Sequence, residues 1–445
     1  MPQAPTIHDQ YQADFRALEA GPAAGQPEWL ARIRREAFAR FQELGFPTAR
    51  RGNEPWKYTN VAPIAQAAFR YTPEPAEAVD GDLLRRLVPR REEWHTLVFV
   101  NGRYSPTLSD APAVLGGATA TSLAAALPAD GSVVQQHLAR YAAFPDEAFT
   151  ALNTAFLQDG AFVYVPRRVT LARPLHLVFL ATDETVSYPR TLIVAGAESG
   201  LSLIESYVSA PGSRHFTDAV TEIVLDEGSQ LDHYRLLLES TDSFHVGVSR
   251  VHQGRDSTLT TTSFQKGAGL AREDFRVLLD APGSSAYLRG LYITGGRQHL
   301  DNSINIDHAK PHTTSRLYYK GILDGRSKAV FGGTVFVRPG AAKADAYQED
   351  KNLVLSAEAE VDSKPSLEIY ADDVKCGHGA TAGAVAEDAL FYMQSRGLDL
   401  DTATMLLIKG FTSEVLDQVR LPPLRRYLER LALRGLAGAR LGLAA

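Results

Sequence analysis

The residues best suited to chemistry lie in one short stretch, IYADDVKCGHGAT, which runs from Ile369 to Thr381. It contains Cys376, the only cysteine among the 445 residues, and His378 follows two positions later. Because residues i and i+2 of a strand share a face, a thiolate and an imidazole at these positions could bind a soft or borderline metal together. Free cysteine is also among the most frequently buried residue types, so a buried thiol beside a satisfied imidazole is the alternative interpretation.

Cys376 and His378 are too few to hold a metal by themselves. Two ligands fill only half of a tetrahedral iron or zinc site, and iron–sulfur clusters normally take about four protein ligands, mostly thiolates. A metal site here would therefore need ligands from another chain, or it would hold its cargo loosely.

Two further pairs of polar residues have spacings that invite a chemical interpretation. His308 and His312 are four positions apart, like two ligands on a helix, but Pro311 and the strand-like surroundings favour surface or edge-strand histidines. Asp372 and Asp373 are adjacent, and neighbouring strand residues face opposite sides, so the two carboxylates cannot readily act on one bond. We expect both aspartates in a turn or at a strand end.

The overall composition is that of an ordinary globular protein. Hydrophobic residues make up 44% and charged residues 22%, and the net charge of −6 argues against an obligate nucleic-acid binder. A single cysteine excludes an internal disulfide and fits a reducing compartment. The N-terminal sequence shows no secretory signal pattern, and no apolar run approaches the roughly 20 residues that a membrane helix needs. We therefore expect a cytoplasmic protein with no membrane or nucleic-acid partner.

The familiar nucleotide and hydrolase motifs are missing from the sequence. It contains no G-x-x-x-x-G-K-[ST] loop, no G-x-G-x-x-G between a strand and a helix, and no G-x-S-x-G or H-E-x-x-H motif. ATP or dinucleotide chemistry has no visible site in this chain, and the enzyme interpretation is weakened.

The first part of the chain, residues 1–158, is predicted to be helical and mixed. In PEWLARIRREAFARFQELGFP the apolar residues recur at helical spacing, and Gly45 and Pro47 are suited to end that helix. A further helix is expected in EAFTALNTAFL, just before residue 158.

Residues 159–380 are predicted to be almost entirely β. Short runs of Val, Leu, Ile, Tyr and Thr alternate with Gly, Asp, Ser and Pro, and four leucines mark a period of 28 to 30 residues, namely Leu201, Leu231, Leu259 and Leu288. Such a period suggests stacked coils, because one coil cannot cover its own apolar face. A β-sandwich also has frequent turns, so periodicity alone leaves the two architectures about equally supported.

Residues 381–445 return to helical patterns. EDALFYMQSRGL ends at Gly397, and PPLRRYLERLALRGL begins with prolines suited to a first helical turn. In the helix between them the predicted buried stripe is Ala403, Leu406, Leu407, Gly410 and Phe411. Such stripes pack either on the rest of the chain or on a partner.

Several stretches together resemble one family, the SufD proteins of the SufB/SufD group, which act in SUF iron–sulfur cluster assembly. They include RRGNEPWKYTN, FVNGRYSPTLSD and LIVAGAESGLSLIESY. The most specific are KPSLEIYADDVKCGHGAT and, at a fixed distance after it, FYMQSRGL. The resemblance extends from about residue 50 to about residue 416.

The resemblance implies a fold, and it favours the stacked coils over the sandwich. The expected architecture is mainly β, with a right-handed parallel β-helix core at 159–380 between helical domains at 1–158 and 381–445. The chain would be a non-catalytic scaffold subunit that pairs with SufB through the β-helix and binds the SufC ATPase through its C-terminal helices, or a homodimer when alone. A transient iron–sulfur cluster would be shared with SufB, and ATP would be used only through SufC.

The resemblance also assigns residues. It implies that His378 lies at the cluster site opposite a SufB cysteine, with Cys376 the weaker metal ligand beside it. Ala342 and Ala344 depart from the Gln and Thr that are more common in the family, which could alter local packing. An alternative from another class is a β-helix carbohydrate-active enzyme, a lyase or hydrolase with carboxylates along a groove.

Overall fold

The structure is a computed structural model, and it describes residues 7–50, 52–71, 79–89, 92–129 and 131–435. No helix in these ranges is both long and apolar enough to cross a membrane.

Helices lie towards the two ends of the chain, with the short strands β1 to β5 among the N-terminal ones, and the regular elements between α7 and α8 are all strands. The helices are α1 Ile7–Ala20, α2 Glu28–Leu44, α3 Ala62–Gln66, α4 Gly81–Leu87, α5 Leu123–Ala129, α6 Gly131–His137, α7 Ala148–Ala155, α8 Glu387–Ser395, α9 Leu400–Leu416 and α10 Pro422–Leu433, with one 3₁₀ turn at Glu54–Trp56. The strands are β1 Arg70–Tyr71, β2 His95–Val100, β3 Arg103–Tyr104, β4 Val114–Leu115, β5 Ala118–Ser122, β6 Gly160–Val165, β7 Leu175–Ala181, β8 Thr185–Ser187, β9 Arg190–Ala195, β10 Gly200–Ser209, β11 Phe216–Leu225, β12 Gln230–Leu238, β13 Phe244–Gln253, β14 Thr258–Gln265, β15 Leu270–Leu279, β16 Ser285–Thr294, β17 His299–His308, β18 Thr314–Leu323, β19 Lys328–Val337, β20 Asp345–Val354, β21 Glu360–Ile369 and β22 Lys375–Gly383.

From β6 onward the strands form a parallel β-solenoid of about eight turns. From β9 onward successive strands alternate between two sheets, and a coil consists of one strand in each; the short strand β8 pairs with β11 in the same sheet as β9. The front sheet contains β6, β9 and then every odd-numbered strand to β21, and the back sheet contains β7 and then every even-numbered strand from β10 to β22. The parallel solenoid predicted from the sequence is confirmed. The sandwich alternative is wrong, because a sandwich is built from antiparallel strands.

The predicted leucine period corresponds to one row of side chains inside the solenoid. Leu201 pairs with Leu231, and Leu231 pairs with Leu259, so these three side chains lie directly above one another and are buried. Leu288 instead pairs with Thr261, two positions beyond that row. The repeat was therefore detected correctly, but its fourth member belongs to the neighbouring row.

The two helical regions cover the outer faces of the two sheets. α1, α2 and α7 pack on the front sheet through an aromatic cluster in which the rings of Phe15 and Phe38 stack with centroids 4.1 Å apart. α8, α9 and α10 pack on the back sheet, where Ile322 joins one hydrophobic cluster with Ile408 and Leu428. Each sheet is thus buried on both faces along most of its length, as parallel sheets require.

The N-terminal region also covers the first coil. β5 extends the front sheet beyond β6 and is followed by the two-residue strand β4, while β2 extends the back sheet beyond β7 and is followed by the two-residue strand β3. Very short outer strands give another chain little backbone edge to pair with. We call this the capped end of the solenoid.

Local signals for the helices are largely confirmed. α2 ends at Leu44, where Gly45 takes φ 61°, and α7 falls within the predicted stretch. The strands of the solenoid run from Gly160 to Gly383, and α8 begins at Glu387. The division into three domains at 158/159 and 380/381 remains a prediction.

The predicted buried face of α9 is partly wrong. Ala403, Ile408 and Val415 are buried, whereas Leu406, assigned to the buried stripe, is 43% exposed. Gly410, also assigned to the buried stripe, is exposed, and Thr412 lies on the buried face instead, where its hydroxyl donates to the Lys409 carbonyl oxygen. The helical spacing of apolar residues does not by itself show that the buried face of α9 accommodates a threonine.

Candidate functional site

The last coil, formed by β21 and β22, differs from all earlier coils because no further coil in the described part of the chain covers it. Within the described residues β21 pairs only with β19, and β22 pairs only with β20. One backbone edge of each strand therefore remains available for pairing. We call this the open end of the solenoid.

Cys376 and His378 lie on the inner side of β22, at the ends of two inner rows of the solenoid. Cys376 continues the leucine row through its partner Ala346. His378 ends the neighbouring row, whose earlier members are all buried: Leu203, His233, Thr261, Leu288, Leu317 and Gln348. His378 itself is exposed. The open end thus presents an imidazole at a position that is core in every other coil.

The two side chains differ in how readily they could bind a metal. Cys376 is half-buried and packs against the interior cluster, and burial raises the pKa of its thiol, which disfavours the thiolate that binds metals. His378 is exposed, and a neutral imidazole binds iron or zinc without losing a proton. Among the described residues, no group of three or more His, Cys, Asp or Glu side chains is arranged to hold a metal ion.

A buried group of polar side chains lies inside the solenoid, in the coil next to the open end. Asp350 accepts hydrogen bonds from the Tyr292 hydroxyl at 3.1 Å, the Asn352 amide at 2.7 Å and the Ser363 hydroxyl at 2.7 Å. Burial raises the pKa of Asp350 to about 6, against the lowering effect of these donors. Sequence reasoning missed this group, although polar residues alternate from Gln348 through Asp350 to Asn352 on the inward side of β20.

His308 is not the surface or edge-strand residue that the sequence predicted. It is completely buried, and its ring nitrogens lie 2.7 Å from the Thr313 hydroxyl and 2.8 Å from the Ser315 hydroxyl. Burial lowers the pKa of His308 to about 4, so the imidazole is neutral. His312 is exposed in the turn that follows, with φ 58°. The two histidines therefore do not form a ligand pair.

The adjacent aspartates occupy the turn before β22, as expected. Asp372 and Asp373 are exposed, and Asp373 takes φ 55° and forms an ion pair with Lys343 of the neighbouring turn. That turn contains the two departures from the family pattern. Ala344 is buried in the solenoid interior, and Ala342 is half-buried and accepts a backbone hydrogen bond from the preceding coil. Both alanines therefore serve in packing one turn on the next.

Comparison with known proteins assigns nearly the whole chain to one family. The model described as "SUF system FeS cluster assembly, SufBD core domain" matches residues 178–411, and the model of the "SufBD protein N-terminal region" matches residues 5–177. The core model alone covers more than half of the chain.

The chain belongs to the SufBD family.

Individual members of the SufBD family match over most of their length. SufD of Escherichia coli is 31% identical over 404 residues, which cover 89% of this chain and 91% of the relative. A SufBD family protein of Synechocystis is 32% identical over 395 residues, 85% of both chains. SufD of Bacillus subtilis is 26% identical over 415 residues, 91% of this chain and 93% of the relative. The resemblance read from the sequence is confirmed, and the family acts in SUF iron–sulfur cluster assembly.

A second exposed feature of this SufBD chain lies on its C-terminal helices. Phe391 and Tyr392 of α8 are 74% and 59% exposed, and Met405 and Leu406 of α9 are 39% and 43% exposed. We call these four residues the C-terminal patch. Exposed apolar patches of large side chains commonly mark protein–protein contacts.

The interior of the early coils contains an ionic cluster that sequence reasoning did not find. Its members lie on β10, β12, β13 and β15 or, in the case of Glu239, directly after β12, and they are Glu205, His233, Arg235, Glu239, His245 and Glu273. Arg235 Nε lies 2.8 Å from Glu273 Oε2, and Arg235 Nη1 lies 3.1 Å from Glu205 Oε2. His245 lies 2.8 Å from Glu239 and 3.0 Å from Glu273.

Proposed function

We propose that this chain is a non-catalytic, SufD-type scaffold subunit of a cytoplasmic SUF complex. It pairs with SufB, binds the SufC ATPase, and contributes His378 to the site where a nascent iron–sulfur cluster is assembled. The single observation that carries this proposal is the open end, where His378 lies exposed on an inner row of the solenoid. The family comparison assigns both parts of the chain to SUF proteins, which argues against the carbohydrate-active alternative.

The open end has the properties of a surface that is completed by a second solenoid. The apolar interior of a terminal coil is shielded from water only when a further coil stacks on it. Ile369 at the end of β21 is 42% exposed, and Tyr370, the next residue, is 59% exposed. A related chain such as SufB would bring a compatible coil and pair with the free edges of β21 and β22. In its absence a second copy of this chain could occupy the same surface.

The chemistry of the two candidate ligands supports a shared site. The cluster is cargo rather than a resident cofactor, so loose or partial binding by one chain suits transfer to an acceptor. His378 would supply one ligand, and thiolates of the partner would supply others. Cys376 would be an auxiliary thiol, because its raised pKa keeps it protonated at neutral pH.

The C-terminal patch is the surface we assign to SufC. Its aromatic residues Phe391 and Tyr392 are the kind that dominate binding energy at interfaces. Binding of an ATPase here would bring ATP hydrolysis to a chain whose own sequence has no nucleotide-binding motif.

The site is tested by iron and sulfide content after reconstitution with SufB and SufC. His378→Ala is expected to leave folding and complex formation intact and to reduce cluster yield about tenfold or more, in line with loss of a ligand. Cys376→Ser is the matched control on the same strand and is expected to have a smaller effect. Wild-type yield with His378→Ala would exclude the residue from the site.

The SufC surface is tested by substitutions in the patch rather than by truncation after Gly383, because truncation would also uncover apolar residues of the back sheet. Phe391→Ser is expected to weaken SufC binding while SufB pairing survives. Val114→Ser is the control, since Val114 is 68% exposed at the capped end. Unchanged SufC affinity with Phe391→Ser would place the docking surface elsewhere.

A further inference from the structure

A large groove lies on the outer face of the front sheet, beyond the area that α1, α2 and α7 cover. Its floor is formed by β13, β15, β17 and β19, one rim by the loop after α6, and the other rim by the turn after β19. Its volume is about 650 Å³, within the range of about 300 to 1,000 Å³ that small-molecule sites occupy. We call it the front groove. It includes no residue of the open end or of the C-terminal patch.

Two arginines on the floor of the front groove are neutralised by two carboxylates. Arg250 Nη2 lies 2.8 Å from Glu147 Oε2, and Arg250 Nη1 lies 2.8 Å from Asp274 Oδ1. Arg276 contacts the same two carboxylates, Glu147 at 2.8 Å and Asp274 at 3.0 Å. Because each charge has two partners of opposite sign, this part of the floor is fixed in position and carries no net charge.

The rest of the floor presents hydrogen-bonding groups that the chain itself does not use. Ser303 and Asn305 on β17 and Thr334 on β19 are half-buried, and no described residue accepts from or donates to their side chains. Asn305 and Thr334 are paired across adjacent strands, about 5 Å apart. Leu278 and Phe336 add apolar surface beside them. Such a floor suits a ligand with many hydroxyl groups, since a hydroxyl both donates and accepts.

The loop after α6 adds a positive charge that no described residue neutralises. Arg140 is exposed and lines the front groove, and its guanidinium has no ion-pair partner in the described ranges. The loop is held in place by the buried carboxylate of Glu222. This carboxylate accepts hydrogen bonds from the backbone amides of Ala139 at 2.8 Å, Tyr141 at 2.9 Å and Ala142 at 3.0 Å. The backbone that carries Arg140 is therefore ordered before any ligand binds.

The opposite rim carries an arginine whose charge is already balanced. Arg338 Nε lies 2.9 Å from Asp307 Oδ1, and Arg338 Nη2 lies 2.6 Å from Asp307 Oδ2. Since Asp307 and Asp274 are both paired with arginines, neither is available as a general acid or base. The front groove is therefore suited to binding rather than to catalysis.

The net charge of the front groove limits which ligands it can take. At one end His252 pairs with Asp280, which Lys310 also contacts at 3.9 Å, so this group adds no net charge when the imidazole is neutral. The only charge left without compensation among the described lining residues is that of Arg140. One free guanidinium fits one phosphate or carboxylate group, which it can bind in a bidentate manner. A nucleic acid or an acidic peptide would need several such cations.

We propose that the front groove binds a small polyhydroxylated anion, namely a sugar phosphate or a sugar acid. Its anionic group lies on Arg140. Its hydroxyl groups bind to Ser303, Asn305 and Thr334, and the apolar side of its ring packs on Phe336. The proposal goes beyond the scaffold function and does not depend on it, because neither partner surface contributes to the groove.

The test is isothermal titration calorimetry of the full-length chain with three matched sugars. Glucose 6-phosphate and glucuronate share a ring and differ in the anionic group at its C6 position, and glucose lacks the charge. At least one of the two anions is expected to bind at a single site with a Kd of about 1 mM or tighter, and the tighter one identifies the anionic group. Glucose and inorganic phosphate are each expected to bind about tenfold more weakly or less.

Two variants assign the two halves of the ligand. Arg140→Gln is expected to weaken binding of the anionic sugar about tenfold and to leave the melting temperature unchanged, because its guanidinium contacts no described residue. Asn305→Ala is expected to weaken binding of the anionic sugar about fivefold or more without affecting inorganic phosphate. The matched control is Arg297→Gln, since Arg297 is also exposed but lies in the turn before β17, outside the groove. It is expected to bind like the unmodified chain.

Several outcomes would overturn the proposal. It fails if neither anionic sugar binds at about 10 mM, or if glucose or inorganic phosphate binds as tightly as the anionic sugar. It also fails if Arg140→Gln and Asn305→Ala both keep the affinity of the unmodified chain, or if Arg297→Gln loses as much as Arg140→Gln. None of these results bears on pairing with SufB or SufC, so the proposed function is judged separately.

Discussion

The ionic cluster of the early coils and the open end of the last coil occupy the same kind of position, the inner face of the solenoid, yet they have opposite properties. His233 lies inside a covered coil, where its Nε2 lies 2.9 Å from Glu205 Oε2 and it is fully buried. His378 lies on the same inner row, five coils later, and is exposed. Whether an inward-facing histidine is structural or available for binding is therefore decided by whether another coil follows it.

The two regions are also expected to differ in how much stability a substitution costs. Inside the early coils, charges are buried and close to one another, so removing one member leaves its partners without compensation in a medium of low dielectric constant. At the last coil, water reaches the side chains and similar changes cost little. The covered coils are therefore expected to lose stability on substitution, whereas the open end is expected to tolerate it. The following predictions test that contrast in decreasing order of effect.

The largest effect is expected for Arg235→Met. The substitution removes the guanidinium between Glu205 and Glu273 and leaves both carboxylates buried with only their histidine and hydroxyl neighbours, which is expected to lower the free energy of unfolding by about 3 to 5 kcal/mol. Urea denaturation at neutral pH measures it. Arg326→Met, which removes an exposed ion pair with Glu358, is the control and is expected to unfold like the unmodified chain. Equal stability of the two variants would contradict the contrast.

A smaller effect is expected from raising the pH. Burial by itself would lower the pKa of His245, but the carboxylates of Glu239 and Glu273 outweigh it and raise this pKa to about 9, above the ordinary value of 6.5. Since the folded state holds this proton more tightly than the unfolded state, the contribution is complete below about pH 6.5 and is lost as the pH rises through 9. Between pH 7 and 9 the loss is about 2 kcal/mol.

The pH prediction is checked by comparing the unmodified chain with His245→Gln. The difference in unfolding free energy between the two proteins is expected to shrink from pH 7 to pH 9, because over this range the unmodified chain loses the His245 proton that the variant does not have. A difference that stays constant over this range would show that His245 is not held as an imidazolium.

The smallest effect is expected for Gly290→Ala. A Cβ on Gly290 would lie 2.2 Å from the ring of Tyr319, which fills the space above this glycine inside the solenoid, and overpacking of this kind costs on the order of 1 kcal/mol or more. Gly379→Ala on β22 is the control, since its nearest neighbour, Glu349 Cγ, is 3.9 Å away. Thermal unfolding of the pair measures the difference, and a lower melting temperature for Gly379→Ala than for Gly290→Ala would reverse the expected order.

Much of the fold could be predicted from the sequence because a stacked coil repeats its pattern along the chain. The spacing of Leu201, Leu231 and Leu259 gave the length of a coil directly. Leu288 was misassigned because coil length varies, and only backbone pairing fixes the register. The exposed position of Leu406 was missed because helical periodicity identifies an apolar stripe without showing which neighbouring polar residues the core also accommodates.

The candidate site was predicted only in part. Cys376 and His378 stood out because they are two residues apart in a distinctive motif. The exposure of His378 depends on β22 being the last strand of the described residues, and no local pattern contains that information. The ionic cluster was missed because Arg235 and Glu273 are 38 residues apart in sequence, so their contact appears only once the coils are stacked. His308 was misjudged for a similar reason, since its burial depends on the coils around it.

The unequal ends of the solenoid set a limit on how many copies can join in line. A rod with two adhesive ends would add units indefinitely and form a filament. Here β3 and β4, with two residues each, leave almost no backbone at the other end for a neighbour to extend. If the open end takes a second copy of the chain, as proposed, end-to-end growth would terminate after that single addition, and increasing protein concentration would yield pairs rather than fibres.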